Sequence, residues 1–213
     1  MEKKDLLSHN CITRLPLYLN YLKSLDYDDL TLVSTQSIAT GLNINAEVVK
    51  KDIAAISSEK GMPRKGRSVV LLVKDLEKFL GAGCQINAVL IGTGHLGKAL
   101  LNYDGFSEYG LNIIAAFDSD PRCREIDVCG INVYSMSLLD NIIKDKHAEI
   151  GIITVPSHAA QSVAEKLVQA GIKAIWNFAP INLNLDPSII VANVNMASSL
   201  AVLSHQLYLN NLK

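Results

Sequence analysis

A strand that runs into three spaced glycines and then into a helix leaves a chain few folds to choose from. Residues 88–106, AVLIGTGHLGKALLNYDGF, set Gly92, Gly94 and Gly97 as G-x-G-x-x-G between an apolar strand and a helix start. The missing side chains permit a tight turn, the approach of a pyrophosphate to backbone N–H groups, and close packing of helix on strand. Asp118 follows 21 residues after Gly97, at the end of the strand-like NIIAAFD. A carboxylate there accepts from both hydroxyls of an adenosine ribose and repels a 2′-phosphate, so NAD is expected over NADP.

The segments AVLI, NIIAAF, INVY, EIGIITV, IKAIW and IIVANV alternate with helical stretches, HLGKALLNY, SLLDNIIKDK and SHAAQSVAEKLVQAG among them. Near-continuously apolar strands in such alternation predict a doubly wound parallel sheet covered on both faces. Thr154, Val155 and Pro156 then end a strand on the carboxyl edge, where an open α/β sheet takes its ligand. His158, in the next turn, has the chemistry of a hydride-transfer acid, but no carboxylate stands near it in sequence to orient it. It is therefore read as a polar residue of a first helical turn, and no catalytic residue is assigned. His95 is read as bordering the pyrophosphate.

The first 80 residues read as helices. TRLPLYLNYLKSLD spaces Leu15, Leu19, Leu22 and Leu25 along one face, with Pro16 in a first turn. STQSIATGLNINAEVVKKDIAAIS predicts two short helices across a Gly41-Leu42-Asn43 turn, the second capped by Asn45: a helix-turn-helix. Val49, Ile53 and Ile56 share its inner face, leaving Lys51 and Ala55 roughly opposite. SEKGMPRKGRSVVLLV is a basic loop entering a β-branched segment, the layout of a wing, and KDLEKFLGAGC reads as a short helix ending in a linker.

Charge supports that division. The whole chain carries −1, but residues 1–83 carry +2 and the remainder −3, and residues 45–70 alone hold +3. Lys50, Lys51, Arg64, Lys65 and Arg67 are the candidate DNA contacts, with a solvated basic face as the plainer alternative. The expected domains are 1–83 for a winged helix, 84–196 for a dinucleotide-binding sheet and 197–213 for a terminal helix. ASSLAVLSHQLYLNNL is apolar on the side of Leu200, Leu203, Leu207 and Tyr208 and needs a cover, which a symmetry mate would supply. No stretch approaches the roughly 20 apolar residues of a membrane span, and the charged start lacks a signal-peptide run, so a cytoplasmic location is expected. Cys11, Cys84, Cys123 and Cys129 form no CxxC pair and no zinc spacing, so no metal is expected and the thiols are read as buried or idle; Cys123 and Cys129 share one loop where oxidants could reach them.

Together RLPLYLNYL, IGTGHLGKALLNYDGF, AAFDSDP, TVPSHAAQSVAEKLVQAGIKAIWNFAP and NVNMASSLAVLSHQLYL resemble the Rex family of redox-sensing transcriptional repressors over nearly the whole chain. The resemblance implies a winged helix joined to a Rossmann domain that reads NADH against NAD⁺, an operator of double-stranded DNA, and a homodimer that exchanges its last helix. Cofactor contacts would then come from Gly92, Thr93, Gly94, His95, Leu96, Gly97, Asp118, Thr154, Val155, Pro156, Asn177, Phe178 and Tyr103. It further implies a switch in which a residue at Asn195 changes partners between Arg14 and Tyr103.

This chain departs from the family at two places. Ala54 and Ala55 stand where the recognition helix has Ser and Tyr, and Ser68-Val69 replaces a Gly-Tyr wing ending, which implies altered or lost operator recognition. Asn195 replaces an Asp, so charge assistance to Arg14 is missing and the two switch states come closer in energy. The competing readings are an NAD-dependent dehydrogenase, for which a substrate domain is lacking, and a nucleotide sensor without normal operator binding or a CoA-type binder.

Overall fold

The computed structural model describes residues 7–59, 61–62, 66–81, 83–120 and 127–211. Two compact units divide the chain, Met1–Cys84 and Gln85–Lys213.

In the first unit α1 (His9–Lys23) precedes β1 (Leu32–Val33), α2 (Thr35–Leu42), α3 (Ala46–Ile56), β2 (Arg67–Ser68) and α4 (Val69–Leu80). The expected helix-turn-helix is present: Asn43 takes the left-handed C-cap conformation after α2, and the Asn45 side chain accepts from Glu47 N–H to start α3. Two expectations are corrected. Helix α1 begins at His9, capped by Ser8, so Pro16 lies inside it rather than in its first turn. Burial of Cys11, Leu15, Tyr18, Leu19 and Leu22 along one stripe offsets the lost N–H.

The β-branched SVVLLV is helix α4, not a strand, apart from Ser68. That serine caps it, and Val69, Leu72, Val73 and Leu76 bury at helical spacing, so packing overrides β propensity. The wing is a two-stranded antiparallel pair, with Leu32 opposite Ser68 and Val33 opposite Arg67. Gly66 has φ +99°, and a Cβ there would run into the Val33 carbonyl, so only glycine closes this turn.

The second unit carries β3 (Ile86–Ile91), α5 (His95–Leu101), β4 (Leu111–Asp118), β5 (Asp127–Val128), β6 (Ile131–Ser135), α6 (Leu139–Asp145), β7 (Ile150–Ile153), α7 (Ser157–Gln169), β8 (Ala174–Asn177), β9 (Ile190–Asn193) and α8 (Met196–Asn211). The sheet order is β5-β6-β4-β3-β7-β8-β9. Every pair is parallel except β5–β6, a short hairpin the sequence reading did not include. Alternate residues of β3 feed separate cores: Ala88 and Leu90 pack with Leu101 and Ile152, Val89 and Ile91 with Leu139, Ile143 and Leu167. Helices thus cover both faces. From β3 the chain adds β4 and β6 on one side and then β7, β8 and β9 on the other, and this switch in strand order opens a crevice at the carboxyl ends of β3, β4 and β7.

Within the first unit one polar cluster pins α3 to α1. The Arg14 guanidinium donates to both oxygens of Asp52, Nε at 2.7 Å and Nη2 at 3.0 Å, and Tyr18 Oη donates to Asp52 Oδ2 at 2.7 Å. Burial would raise the Asp52 carboxyl, but the bonds from Arg14 and Tyr18 outweigh it and hold it below its ordinary value. Burial pushes the neighbouring Cys11 thiol up to about 11, which leaves it unreactive.

Since the folded Asp52 pKa lies below the unfolded one, its contribution is complete above the unfolded value near 3.9 and is lost as pH falls through the folded value. Asp52→Asn is expected to cost about 3 kcal/mol at pH 7, because it leaves Arg14 without its charge partner. Urea denaturation of the full chain followed by circular dichroism, repeated below pH 4, should show that deficit shrinking on acidification.

Candidate functional site

At the carboxyl ends of β3, β4, β7 and β8 the second unit has a cleft of about 690 Å³. Glycines shape its floor. Gly92 has φ +100°, and a Cβ there would lie 2.9 Å from Val155 Cγ1 and 3.0 Å from the Thr154 carbonyl. A Cβ at Gly97 would fall on the Gly92 carbonyl oxygen, so α5 crosses β3 only because residue 97 is glycine. Gly94 lines the cleft with open space where its Cβ would point. A side chain at residue 94 would occupy the room that a diphosphate needs, so these residues fit a dinucleotide.

Asp118 lines the same cleft. Its Oδ2 accepts from Thr93 N–H at 2.7 Å and Thr93 Oγ1 at 2.8 Å, and its Oδ1 from Asp120 N–H at 2.9 Å. Burial would raise this carboxyl, but those donors outweigh both burial and the nearby Asp120 charge and hold it below its usual value. It is ionised at neutral pH and attracts hydroxyl donors.

The remaining expected contacts separate into two groups. Leu96, Thr154, Val155, Pro156 and Phe178 line the cleft. Thr154 also donates through Oγ1 to the carbonyls of Ile91 and Gly92, at 3.0 and 2.7 Å, fixing the turn from the β7 side. His95 is exposed as the first residue of α5. Thr93 and Asn177 are corrections to direct contact: they are 2% and 0% exposed.

Asn177 spends its amide inside the protein. Its Nδ2 donates to the carbonyls of Ala179 and Ile181 and to Asn193 Oδ1, and its Oδ1 accepts from Ala179 N–H. It therefore shapes the loop that presents Phe178. Sequence reading did not include Met136, Ser162 and Lys166, which also line the cleft. The last two lie four and eight residues after His158, so the helical repeat of α7 was the available signal. His158 lines the cleft, and among the described residues no carboxylate is hydrogen-bonded to it.

Tyr103 is 60% exposed and begins a row of rings. Centroid distances are 4.9 Å to Phe106, 5.5 Å from Phe106 to Trp176 and 4.6 Å from Trp176 to Phe178, where the row reaches the cleft. Asn195 acts locally, its Oδ1 accepting from Ser198 N–H at 3.1 Å at the start of α8. Along α8, Leu200, Val202, Leu203, Leu207 and Tyr208 are all exposed.

In the first unit Lys50 and Lys51 are exposed on α3, Lys50 in a 3.6 Å pair with Glu47. Arg14 has Asp52 as its charge partner. Asp52 was missed by sequence reading, although it shares the helical phase of Val49, Ile53 and Ile56, where a carboxylate must be paired. Arg67 donates through Nη1 to Ser57 Oγ at 2.9 Å and to the Glu59 carbonyl, so this candidate DNA contact braces the wing root against the end of α3. Arg64, Lys65 and Cys123 lie outside the described residues. Cys11 is buried, as read, while Cys84 and Cys129 are exposed free thiols. Among the described residues no group of His, Cys, Asp or Glu forms a metal site, and no helix is long and apolar enough to cross a membrane.

Two family models match the chain: one described as CoA binding domain over residues 84–181, the other as putative DNA-binding protein N-terminus over 7–54. The redox-sensing transcriptional repressor Rex of Treponema denticola is 40% identical over 203 residues, covering 95% of this chain and 96% of that one. Rex of Clostridium perfringens is 35% identical and both chains are covered throughout. Among solved structures, RSP in complex with β-NAD⁺ and operator DNA superposes with a TM-score of 0.89 at 33% identity, covering 97% of this chain and 95% of that one. RSP in complex with β-NADH gives 0.87 at 32%, covering 97% of each.

Asn177→Asp would turn a carboxylate towards two carbonyls and an amide oxygen and is expected to cost about 3 kcal/mol or more. Asn177→Ala should cost about 2 kcal/mol through the unsatisfied groups it leaves. Thermal unfolding of both variants checks the order.

Proposed function

The chain belongs to the Rex family of redox-sensing transcriptional repressors, and from that premise we propose that it binds NAD(H) in the β3–β8 cleft and DNA through α3. The observation that carries the reading is an ionised Asp118 facing a glycine-floored cleft, in a chain that also bears a winged helix.

Bound NAD(H) supplies a nicotinamide ring that is cationic when oxidised and neutral when reduced. The backbone at Gly92, Gly94 and Leu96 borders the diphosphate, with His95 at its edge, and Asp118 accepts from the adenosine ribose. Val155, Pro156 and Phe178 give the ends of β7 and β8 an apolar lining, which disfavours a cation and so favours the reduced form. Such a difference in affinity is what a redox switch requires, because a ligand equally attracted to two states shifts neither.

Lys50 and Lys51 stand on the outward face of α3 as phosphate or base contacts, Arg67 braces the wing root, and Arg64 and Lys65 remain further candidate contacts from the sequence. Ala54 and Ala55 leave that face small, so specificity rests more on the lysines and wing than on an aromatic contact. The protein acts as a repressor, a role supported by relatives named as redox-sensing transcriptional repressors. A homodimer that exchanges α8 covers the helix's exposed leucines. The switch residues carry altered roles, Asn195 capping α8 while Arg14 keeps Asp52 as its charge partner. The reading places the protein in the cytoplasm.

The deciding experiment measures binding to operator-containing duplexes with NAD⁺ and then with NADH. NADH is expected to weaken binding at least severalfold, and equal affinity in both cofactor states refutes sensing. In the same samples Trp176, the single tryptophan, lies against Phe178 at the cleft, so NADH should quench its emission by energy transfer. Removal of residues 197–213 should convert the dimer to monomer or aggregate in sedimentation; an unchanged dimer refutes helix exchange.

A further inference from the structure

The Thr93–Asp118 pair has a consequence for how the cleft reads its ligand, resting on the dinucleotide reading above. An ionised carboxylate offers about four lone-pair sites, two on each oxygen. In this chain three are already taken. Both donors of Thr93, the backbone N–H at 2.7 Å and the hydroxyl at 2.8 Å, converge on Oδ2, while Asp120 N–H occupies one site on Oδ1. Thr93 is 2% exposed, so its hydroxyl has no water to turn to. We propose that the Thr93 hydroxyl, by filling Oδ2, limits Asp118 to a single ribose hydroxyl, so that the cleft reads one of the two hydroxyls of the adenosine ribose instead of both.

Thr93 is thus a positioning residue. It touches no ligand, yet it decides which carboxylate oxygen is offered. The open site is on Oδ1, and the hydroxyl that an acid at this strand end receives is the 2′-OH. A second hydroxyl would have to displace the Thr93 hydroxyl, leaving a buried O–H without a partner.

Calorimetry with NADH and its adenosine 2′-deoxy and 3′-deoxy analogues tests this on the full-length protein. In the wild type the 2′-deoxy analogue should bind about tenfold or more weakly than NADH, and the 3′-deoxy analogue within about threefold of it. Thr93→Val keeps the volume and the backbone donor but frees one site on Oδ2, so the 3′-deoxy penalty should rise severalfold. Thr93→Ser keeps the hydroxyl and should restore the wild-type asymmetry, which a merely structural role of the side chain would not predict. Equal penalties for the two analogues in the wild type, or an asymmetry unchanged in Thr93→Val, overturn the proposal. Should the valine variant not fold, the wild-type analogues decide alone. Failure of the wild type to bind NADH at all would instead overturn the dinucleotide reading, and this inference with it.

Discussion

The nucleotide-binding unit depends on one close approach, that of Gly97 in α5 to the carbonyl of Gly92 at the end of β3. No side chain fits between them, so the helix lies directly on the strand it leaves. From the other side Thr154 holds the same carbonyl through its hydroxyl. Held between α5 and β7, the turn sends Thr93 inward and leaves Gly94 facing open space. The inward residue meets Asp118 and ties the end of β3 to the end of β4. A missing side chain thereby fixes, in two steps, where a negative charge stands in the cleft.

The winged-helix unit solves a related problem with charge. Helix α3 keeps Lys50 and Lys51 outward and has a firm inner attachment. Val49, Ile53 and Ile56 supply the apolar part, and Asp52 adds an ion pair with Arg14 and a hydrogen bond from Tyr18. At the wing root Arg67 gives up part of its hydrogen-bonding capacity to Ser57 and Glu59. Arg67, Thr93 and Asn177, all singled out in the sequence, spend hydrogen-bonding groups inside the protein. Position in a motif told which residues matter, and hydrogen-bond saturation told how.

Legibility followed the range of the interactions involved. The glycine turn, Asp118, the apolar strands and the helix-turn-helix were readable because each depends on neighbours within a turn or a strand. The β-branched SVVLLV was read as part of a wing, since only the packing of Val69, Leu72, Val73 and Leu76 reveals a helix. Pro16 was placed in a first turn because the capping by Ser8, well upstream of the leucine pattern, carries little signal. The β5–β6 hairpin was too short to show periodicity. Asp52 was passed over beside Lys50 and Lys51, although its helical phase puts it on the buried face.

By itself the sequence determined most of the element types, the parallel sheet implied by alternation, the cleft at the carboxyl edge and the family resemblance, because periodicity, glycine spacing and caps are local constraints. Only the tertiary structure decided which polar atoms remain free. Thr93, Asp118, Asn177, Arg14 and Asp52 are all polar in the sequence, and nothing in their spacing says that Thr93 and Asn177 are sealed inside while Asp118 still borders the cleft. That distinction arises when distant segments close together and exclude water, since a buried donor or acceptor must then find its partner within the protein.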